Sequence, residues 1–418
     1  MLPHNMISSI YIHIPFCVRK CLYCDFNSYA GMEGFFEPYV EALKAEIRLS
    51  ADRFPDARIS TVYLGGGTPT VLAPEQLSGI LGQINRSFPV DADAEITIEA
   101  NPVAPSPHFE LSVVSRQLSV IADLGLYRSK FDVGRSMFDV QIPPHPISPS
   151  SFSFNRLSLG VQSLHDEELR LLGRIHTADE AVRAFREARG AGFRNIGLDL
   201  MYGIPSQTLE SWREILNKAL ELNPEHVSLY SLTVEEGTPF YKMHQAGELT
   251  LPGEDAEADM YEEAIRILTS AGFVHYEISN FAKPGFECRH NMTYWRNEPY
   301  FGFGAGASSY LEGVRAANVR DVGEYIRRIE AEESPVESQE SLTGRSAMGE
   351  SVFLGLRMLA GVDEESFARR YGLAPQEAFP AEVESLFARG LIERRDGFIR
   401  LTHTGLLFAD DVFAEFVG

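Results

Sequence analysis

Six short apolar runs between Ile10 and Tyr230, spaced by breaks and amphipathic helical stretches, constrain the fold of this chain more than any other feature. Ile10-Tyr11-Ile12-His13-Ile14 reads as a strand that stops at Pro15, and a helix follows from about Phe36 to Leu49. Ser60 to Leu64 is a buried-type strand broken by Gly65-Gly66-Gly67. Pro74 then opens a helix at a tolerated position, and Leu77, Ile80, Leu81 and Ile84 form its apolar stripe. Glu95 to Glu99 and Arg156 to Gly160 are the third and fourth strands. Ala178, Ala181, Val182, Phe185 and Ala188 share one face of the next helix. Asn195 to Leu200 is the fifth strand, a helix follows Pro205, and His226 to Tyr230 is the sixth strand. Repeated β-α units predict a parallel sheet with right-handed crossovers. Six of them predict an α/β fold of incomplete (β/α)6 barrel type, with the functional groups at the carboxyl ends of the strands.

The 418 residues exceed one ordinary domain, so a second, smaller unit is expected. The reading places the partial barrel at 1–325, a linker at 326–345 that is acidic and Ser-rich from 330 onward, and a small α+β unit at 346–418. In that unit a helix near Ala347 to Leu359 and one near Pro380 to Arg389 precede a hairpin, Leu391 to Arg394 and Phe398 to Leu401, turned at Arg395-Asp396-Gly397. The order resembles a winged helix. From Arg345 onward the unit carries 8 basic and 12 acidic residues, a net of -4, which speaks against a nucleic-acid role. Residues 103–154 break the β-α rhythm. Their 52 residues are about three times the dozen or somewhat more that a crossover needs, and they read as an atypical insertion.

The whole chain has a formal charge of -22, which repels nucleic acid. No apolar run is long enough to predict a transmembrane helix, and the first strand begins too early for a signal peptide. A cytoplasmic location is expected. Of the four cysteines, Cys17, Cys21 and Cys24 fall within eight residues, directly after the first strand. In a cytosolic chain that density predicts metal ligation rather than disulfides.

Thiolates suit both zinc and iron–sulfur clusters, but structural zinc usually takes four ligands, commonly in two close pairs. There is no second pair here. Three cysteines can hold three corners of a [4Fe–4S] cluster and leave the fourth iron open. The amino and carboxylate groups of S-adenosylmethionine (SAM) can chelate that iron, the setting for radical SAM chemistry. Gly65-Gly66-Gly67-Thr68-Pro69-Thr70, at a strand end before a helix, can bring backbone amides close to a ligand.

Together these motifs resemble the oxygen-independent coproporphyrinogen oxidase family of radical SAM proteins. The likeness runs through Tyr11 to Cys17, the glycine run, Glu99-Ala-Asn-Pro102, Arg156 to Ser163, Gly173 to His176 and Asp199 to Pro205. It implies that Cys17, Cys21 and Cys24 ligate the cluster and that Tyr11 and Tyr23 line SAM. Gly66, Gly67 and Thr68 hold its methionine end, Arg174 pairs with its carboxylate, and Glu99, Gln162 and Asp199 bind its other polar groups. The oxidases of this family carry one more cysteine two places after the third, where this chain has Phe26. That departure points to the heme-chaperone branch, as does the HNxxYW pattern within Cys288 to Trp295. The resemblance then implies heme contact by a segment near 277–310, through Cys288, His290, Asn291, Tyr294 and Trp295. It implies heme or a porphyrin as ligand and a respiratory heme protein as acceptor, reached by transient contact with a membrane protein. The cluster would serve dimerisation of the chain or transfer. No residue is assigned a catalytic role. The alternative reading is an enzyme that oxidatively decarboxylates coproporphyrinogen III to protoporphyrinogen IX.

Overall fold

A computed structural model describes residues 7–102 and 152–417. Six parallel strands lie side by side in chain order: β1 (Ser9–Ile14), β2 (Ile59–Gly66), β3 (Val90–Ala100), β4 (Arg156–Gln162), β5 (Ile196–Tyr202) and β6 (His226–Ser231). Alternation along each strand sorts the side chains onto two faces. Ile10, Ile12, Val62, Leu64, Ile96, Ile98, Leu157, Leu159, Leu198, Leu200, Val227 and Leu229 join one hydrophobic core. That core includes residues of the helices α1 (Phe36–Arg53), α2 (Pro74–Ser87), α3 (Ala178–Gly190), α4 (Leu209–Glu221) and α5 (Glu254–Ser270). The opposite face carries Ser9, Tyr11, Thr61, Tyr63, Glu95, Thr97, Glu99, Ser158, Asp199, His226 and Ser228, so the inner wall of the incomplete barrel is polar.

Helix starts follow their sequence signals. Thr177 and Thr208 cap α3 and α4, each accepting from the backbone N–H three residues on. The partial barrel fits the expected fold, and each expected strand lies inside an observed one except the fifth, which begins at Ile196 rather than Asn195. Most of the stretch read as an insertion, 103–154, lies outside the described residues. Where the chain is described again it is well anchored: Phe154 is buried, and the Asn155 amide brackets β3 through Ile96 N and Ala94 O.

The sheet continues past both ends of the parallel set. On one side β7 (Val274–Glu277) and β8 (Asn280–Ala282) add antiparallel strands beyond β6. On the other, β9 (Tyr300–Phe303) pairs parallel with β1, and β10 (Ser308–Leu311), β11 (Val314–Asn318) and β12 (Val336–Ser341) follow antiparallel. This corrects the linker reading of 326–345. Residues 326–330 finish helix α7 (Val322–Glu330), and β12 is an edge strand paired with β11. Its side chains are almost all exposed, so it carries no apolar period to betray it.

The small C-terminal unit is built as expected around its own core, with Val352, Leu356, Phe379, Leu386, Ile399 and Val412 inside. Helix α8 (Gly344–Leu356) leads in. The three-stranded sheet orders β13 (Val362–Asp363), β15 (Phe398–Leu401) and β14 (Ile392–Arg395). Asp396 and Gly397, at φ +52° and +83°, make the two-residue turn that requires positive φ at both positions.

Helix α1 clasps the extension to β1. The Tyr39 hydroxyl donates to the His13 carbonyl (2.7 Å) and accepts from Ala305 N (3.0 Å). Two turns on, the buried Glu46 carboxylate accepts from Gly304 N (2.9 Å), Asn318 Nδ2 (2.7 Å) and Tyr325 Oη (2.6 Å). Glu46→Ala removes one acceptor from three buried donors. Loss of about 3 kcal/mol or more of unfolding free energy is expected in urea titration; a change within about 0.5 kcal/mol would show that the clasp is not structural.

Candidate functional site

At the carboxyl ends of β1 to β6 a cavity of about 510 Å³ opens among the loops. Cys17, Cys21 and Cys24 line one side of it, half-buried. A short parallel pairing of Phe16-Cys17 with Tyr29-Ala30 closes the cysteine loop at its base. Leu22 N donates to the Leu172 carbonyl and Phe240 N to the Leu22 carbonyl, which tie the loop's middle to the wall. Burial raises the pKa of the Cys17 and Cys24 thiols. Among the described residues no three His, Cys, Asp or Glu side chains converge on one metal ion. Three thiols along one cavity are a donor set chemically suited to three irons of a cluster.

The other expected SAM contacts come from the strand ends and from two loops, Tyr23 from the cysteine loop itself and Arg174 from the turn before α3. Tyr23, Gly66, Gly67, Thr68, Glu99, Gln162, Arg174 and Asp199 line the same cavity. Gln162 sits at φ +66° where the β4–β5 register shifts, an irregularity of the sort that re-aims a side chain at a functional site. Asp199 accepts from Ser158 Oγ at 3.0 and 3.1 Å, and burial raises its pKa. The Arg174 guanidinium donates to Asn101 Oδ1 (2.5 Å), the Gly160 carbonyl (2.6 Å) and Cys21 Sγ (3.4 Å). It therefore stands between the cysteine loop and the strand ends.

Glu99 is the most constrained of these groups. Tyr63 Oη donates to its Oε1 (2.8 Å) and Gly66 N to its Oε2 (3.1 Å). Burial and the neighbouring Asp199 charge still push its pKa up to about 7.

Two expectations change. The glycine run does not offer free amides: Gly66 N serves Glu99, while Gly67 N and Thr68 N donate to the Ile14 and Phe16 carbonyls at 2.8 Å each. A Cβ on Gly67 would lie 2.5 Å from the Phe16 carbonyl oxygen, so only glycine allows that approach. The amides of the run are therefore not available to a ligand's carboxylate. Tyr11 does not line the cavity; its hydroxyl meets His13 Nδ1 (3.1 Å) and its ring stacks on Tyr63. Tyr63 and Asn101 were missed as contributors. Asn101 Nδ2 donates to Thr68 Oγ1 (2.8 Å), joining Arg174 to the glycine run. It lies in the Glu-Ala-Asn-Pro motif, while Tyr63 carried only its inward register, two residues before Gly65.

Cys288, His290, Asn291, Tyr294 and Trp295 come together, but at the opposite mouth of the barrel. Helix α6 (Arg289–Trp295) docks on the amino-terminal ends of β1, β2 and β3. Glu95 at its start accepts from Cys288 Sγ (3.6 Å), Arg289 N (3.1 Å) and His290 N (3.1 Å). Both His290 nitrogens are engaged, Nδ1 with Thr61 Oγ1 and Nε2 with Tyr294 Oη, at 2.8 Å each. Burial lowers the His290 pKa to about 3 and raises that of Cys288 to about 12. The C-terminal unit covers the helix end: Arg357 lies 4.4 Å over the Trp295 ring, and Asn297 donates to Ser351 Oγ (3.0 Å). In this arrangement neither His290 nor Cys288 presents a ligand atom to heme, because burial and hydrogen bonding have already used those atoms. Asn291 and Tyr294 are half-buried, and Trp295 gives one face to Arg357.

Comparison with known proteins agrees with the geometry. Residues 11–133 and 150–219 match the radical SAM superfamily, and 342–408 match the HemN C-terminal domain. The chain is 39% identical to heme chaperone HemW of Bacillus subtilis (strain 168), over 99% of this chain and 100% of the relative. It is 33% identical to heme chaperone HemW of Escherichia coli (strain K12), over 98% of each. The solved structure of coproporphyrinogen III oxidase (HemN) from Escherichia coli shares the fold. Its TM-score is 0.78 at 24% identity, covering 99% of this chain and 91% of that one. A polar-walled partial barrel with three cysteines at its carboxyl mouth, a HemN-type C-terminal unit and similarity along almost all of its length place the chain: it belongs to the HemW family within the radical SAM superfamily.

Proposed function

We propose that this protein is a heme chaperone. It binds heme, holds a [4Fe–4S] cluster on Cys17, Cys21 and Cys24, accepts SAM in the same cavity, and passes heme to respiratory heme proteins. The observation that carries the reading is the similarity to heme chaperones over nearly the whole chain. Phe26 adds to it. The side chain lines the cavity rim, 65% exposed, in the place where the resemblance puts a further cysteine in the oxidases. No helix among the described residues is long and apolar enough to cross a membrane, so the proposed acceptor is met by docking.

Within the cavity the residues divide the work. The three thiolates hold the cluster, which when bound supplies an open iron and an electron. Glu99 accepts from an ammonium group, and Arg174 offers donors to a carboxylate. Asp199, beside Ser158, accepts from hydroxyls such as those of a ribose. Replacing any one of Cys17, Cys21 or Cys24 by Ala is expected to strip most iron and sulfide from anaerobically reconstituted protein. The far-ultraviolet dichroism should stay as in the wild type; retained full iron would show that the cysteine is not a ligand.

The oxidase reading keeps the shared fold in its favour. Heme titration and a coproporphyrinogen conversion assay on one reconstituted sample separate the two. Tight heme binding without product is expected, and product without stable heme binding would assign the chain to the oxidases. Because His290 and Cys288 are already satisfied, His290→Ala and Cys288→Ala are each expected to keep heme affinity within about threefold, under about 1 kcal/mol. A loss of a hundredfold or more would restore the Cys288 to Trp295 segment as the heme site.

A further inference from the structure

The two mouths of the barrel are joined by a stacked column. The His290 ring lies against Tyr63, with centroids 5.1 Å apart and planes at 27°. Tyr11 flanks both rings, 6.2 Å from Tyr63 and 6.4 Å from His290. Tyr63 in turn holds Glu99 through its hydroxyl at 2.8 Å.

The hydrogen bonds beneath fix the imidazole. Thr293 Oγ1 donates to the Arg289 carbonyl (3.3 Å), so it accepts from Ser9 Oγ (2.9 Å). Thr61 Oγ1 donates to Ser9 (2.8 Å), so it accepts from His290 Nδ1 (2.8 Å). That leaves Nε2 to accept from Tyr294 Oη (2.8 Å). With a neutral ring protonated on Nδ1 the chain of donors runs one way, and burial, which lowers the ring's pKa to about 3, keeps it neutral.

We infer that His290, held from below by Thr61 and Tyr294, is a positioning residue for Glu99. Its ring supports Tyr63, and Tyr63 presents the Glu99 carboxylate to a cationic group in the cavity. The inference rests on the reading of that cavity as the SAM site. The groups that face Glu99 electrostatically are Tyr63 on β2, Tyr11 on β1, Asp199 on β5, Tyr230 on β6 and Tyr294 on α6, with Arg174 on the cavity wall.

The sign of the pH effect follows from the donor. Tyr63 stabilises the ionised carboxylate, so losing its hydroxyl raises the Glu99 pKa. SAM affinity, measured by equilibrium dialysis on anaerobically reconstituted protein, is expected to rise with pH through the value of about 7 at which Glu99 ionises. In Tyr63→Phe the midpoint should move up by about one pH unit, which is about fivefold weaker binding at neutral pH. His290→Ala should give a similar upward shift. The double variant should shift no further than either single one, because both act through one contact. If His290→Ala does not fold, His290→Gln serves, since it keeps a partner for Thr61 but removes the ring.

A folded His290 variant with the wild-type pH profile, beside a shifted Tyr63→Phe, overturns the inference. So does full additivity in the double variant. Wild-type protein that binds no SAM at any pH overturns the reading of the cavity instead. The ¹³C titration of the Glu99 carboxyl in ligand-free protein, assigned with Glu99→Gln, then decides the positioning role on its own. The same upward shift in Tyr63→Phe and in the His290 variant supports it, and an unmoved Glu99 in the His290 variant refutes it.

Discussion

A parallel sheet with carboxylates, tyrosines and histidines on its inner face has no stable packing unless each of those groups finds a partner. Water-sized leaks cannot serve every one, and an unmade buried hydrogen bond costs about 1–3 kcal/mol. This chain meets the demand in two tiers. In the lower tier Ser9, Thr61 and Glu95 are sewn to α6. In the upper tier Glu99 and Asp199 keep only one or two protein donors each, and both carboxyls titrate above their usual range as a result of burial. A cationic ligand would complete the upper tier, as α6 completes the lower.

Much of this is legible in the sequence. Short apolar runs, a proline or glycine stop and a helical stripe mark β1 to β6 because burial on the outer face forces that pattern. The three cysteines stand out because thiols are scarce in the chain. What stayed hidden is the direction in which polar residues point. In Tyr63 or Thr61 the inward side chain looks, in sequence, like the solvent side of a half-exposed strand. The HNxxYW stretch looks like a heme surface for the same reason, until Thr61, Glu95 and its own Tyr294 are found to use its polar atoms. Residues 336–341 were read as a linker because an exposed edge strand rich in Glu and Ser needs no apolar alternation; its backbone pairing with β11 alone defines it.

The glycine run shows a second limit. Composition says that backbone can approach closely there, and a Cβ on Gly66 would indeed strike His13 at 2.4 Å. Composition does not say which backbone atoms remain free. The amides of Gly66, Gly67 and Thr68 are spent on Glu99, Ile14 and Phe16. The run therefore offers fewer free donors than its composition suggests, and only the folded pairing reveals it.

The neutral state of His290 matters to the site. An imidazolium stacked under Tyr63 would place a positive charge close to Glu99 and hold its carboxylate ionised at lower pH, but it would also repel a sulfonium or ammonium ligand. Burial excludes that charge and leaves the ring to act through shape. Arg174, hydrogen-bonded to Cys21 Sγ, Asn101 and the Gly160 carbonyl, is a cation on the wall between the cysteine loop and the strand ends, while Arg19 and Lys20 line the cavity from the loop itself. In the proposed SAM site Glu99 and Arg174 would offer opposite charges to an amino-acid end, and burial of His290 at the far mouth of the barrel keeps the ring beneath Tyr63 uncharged.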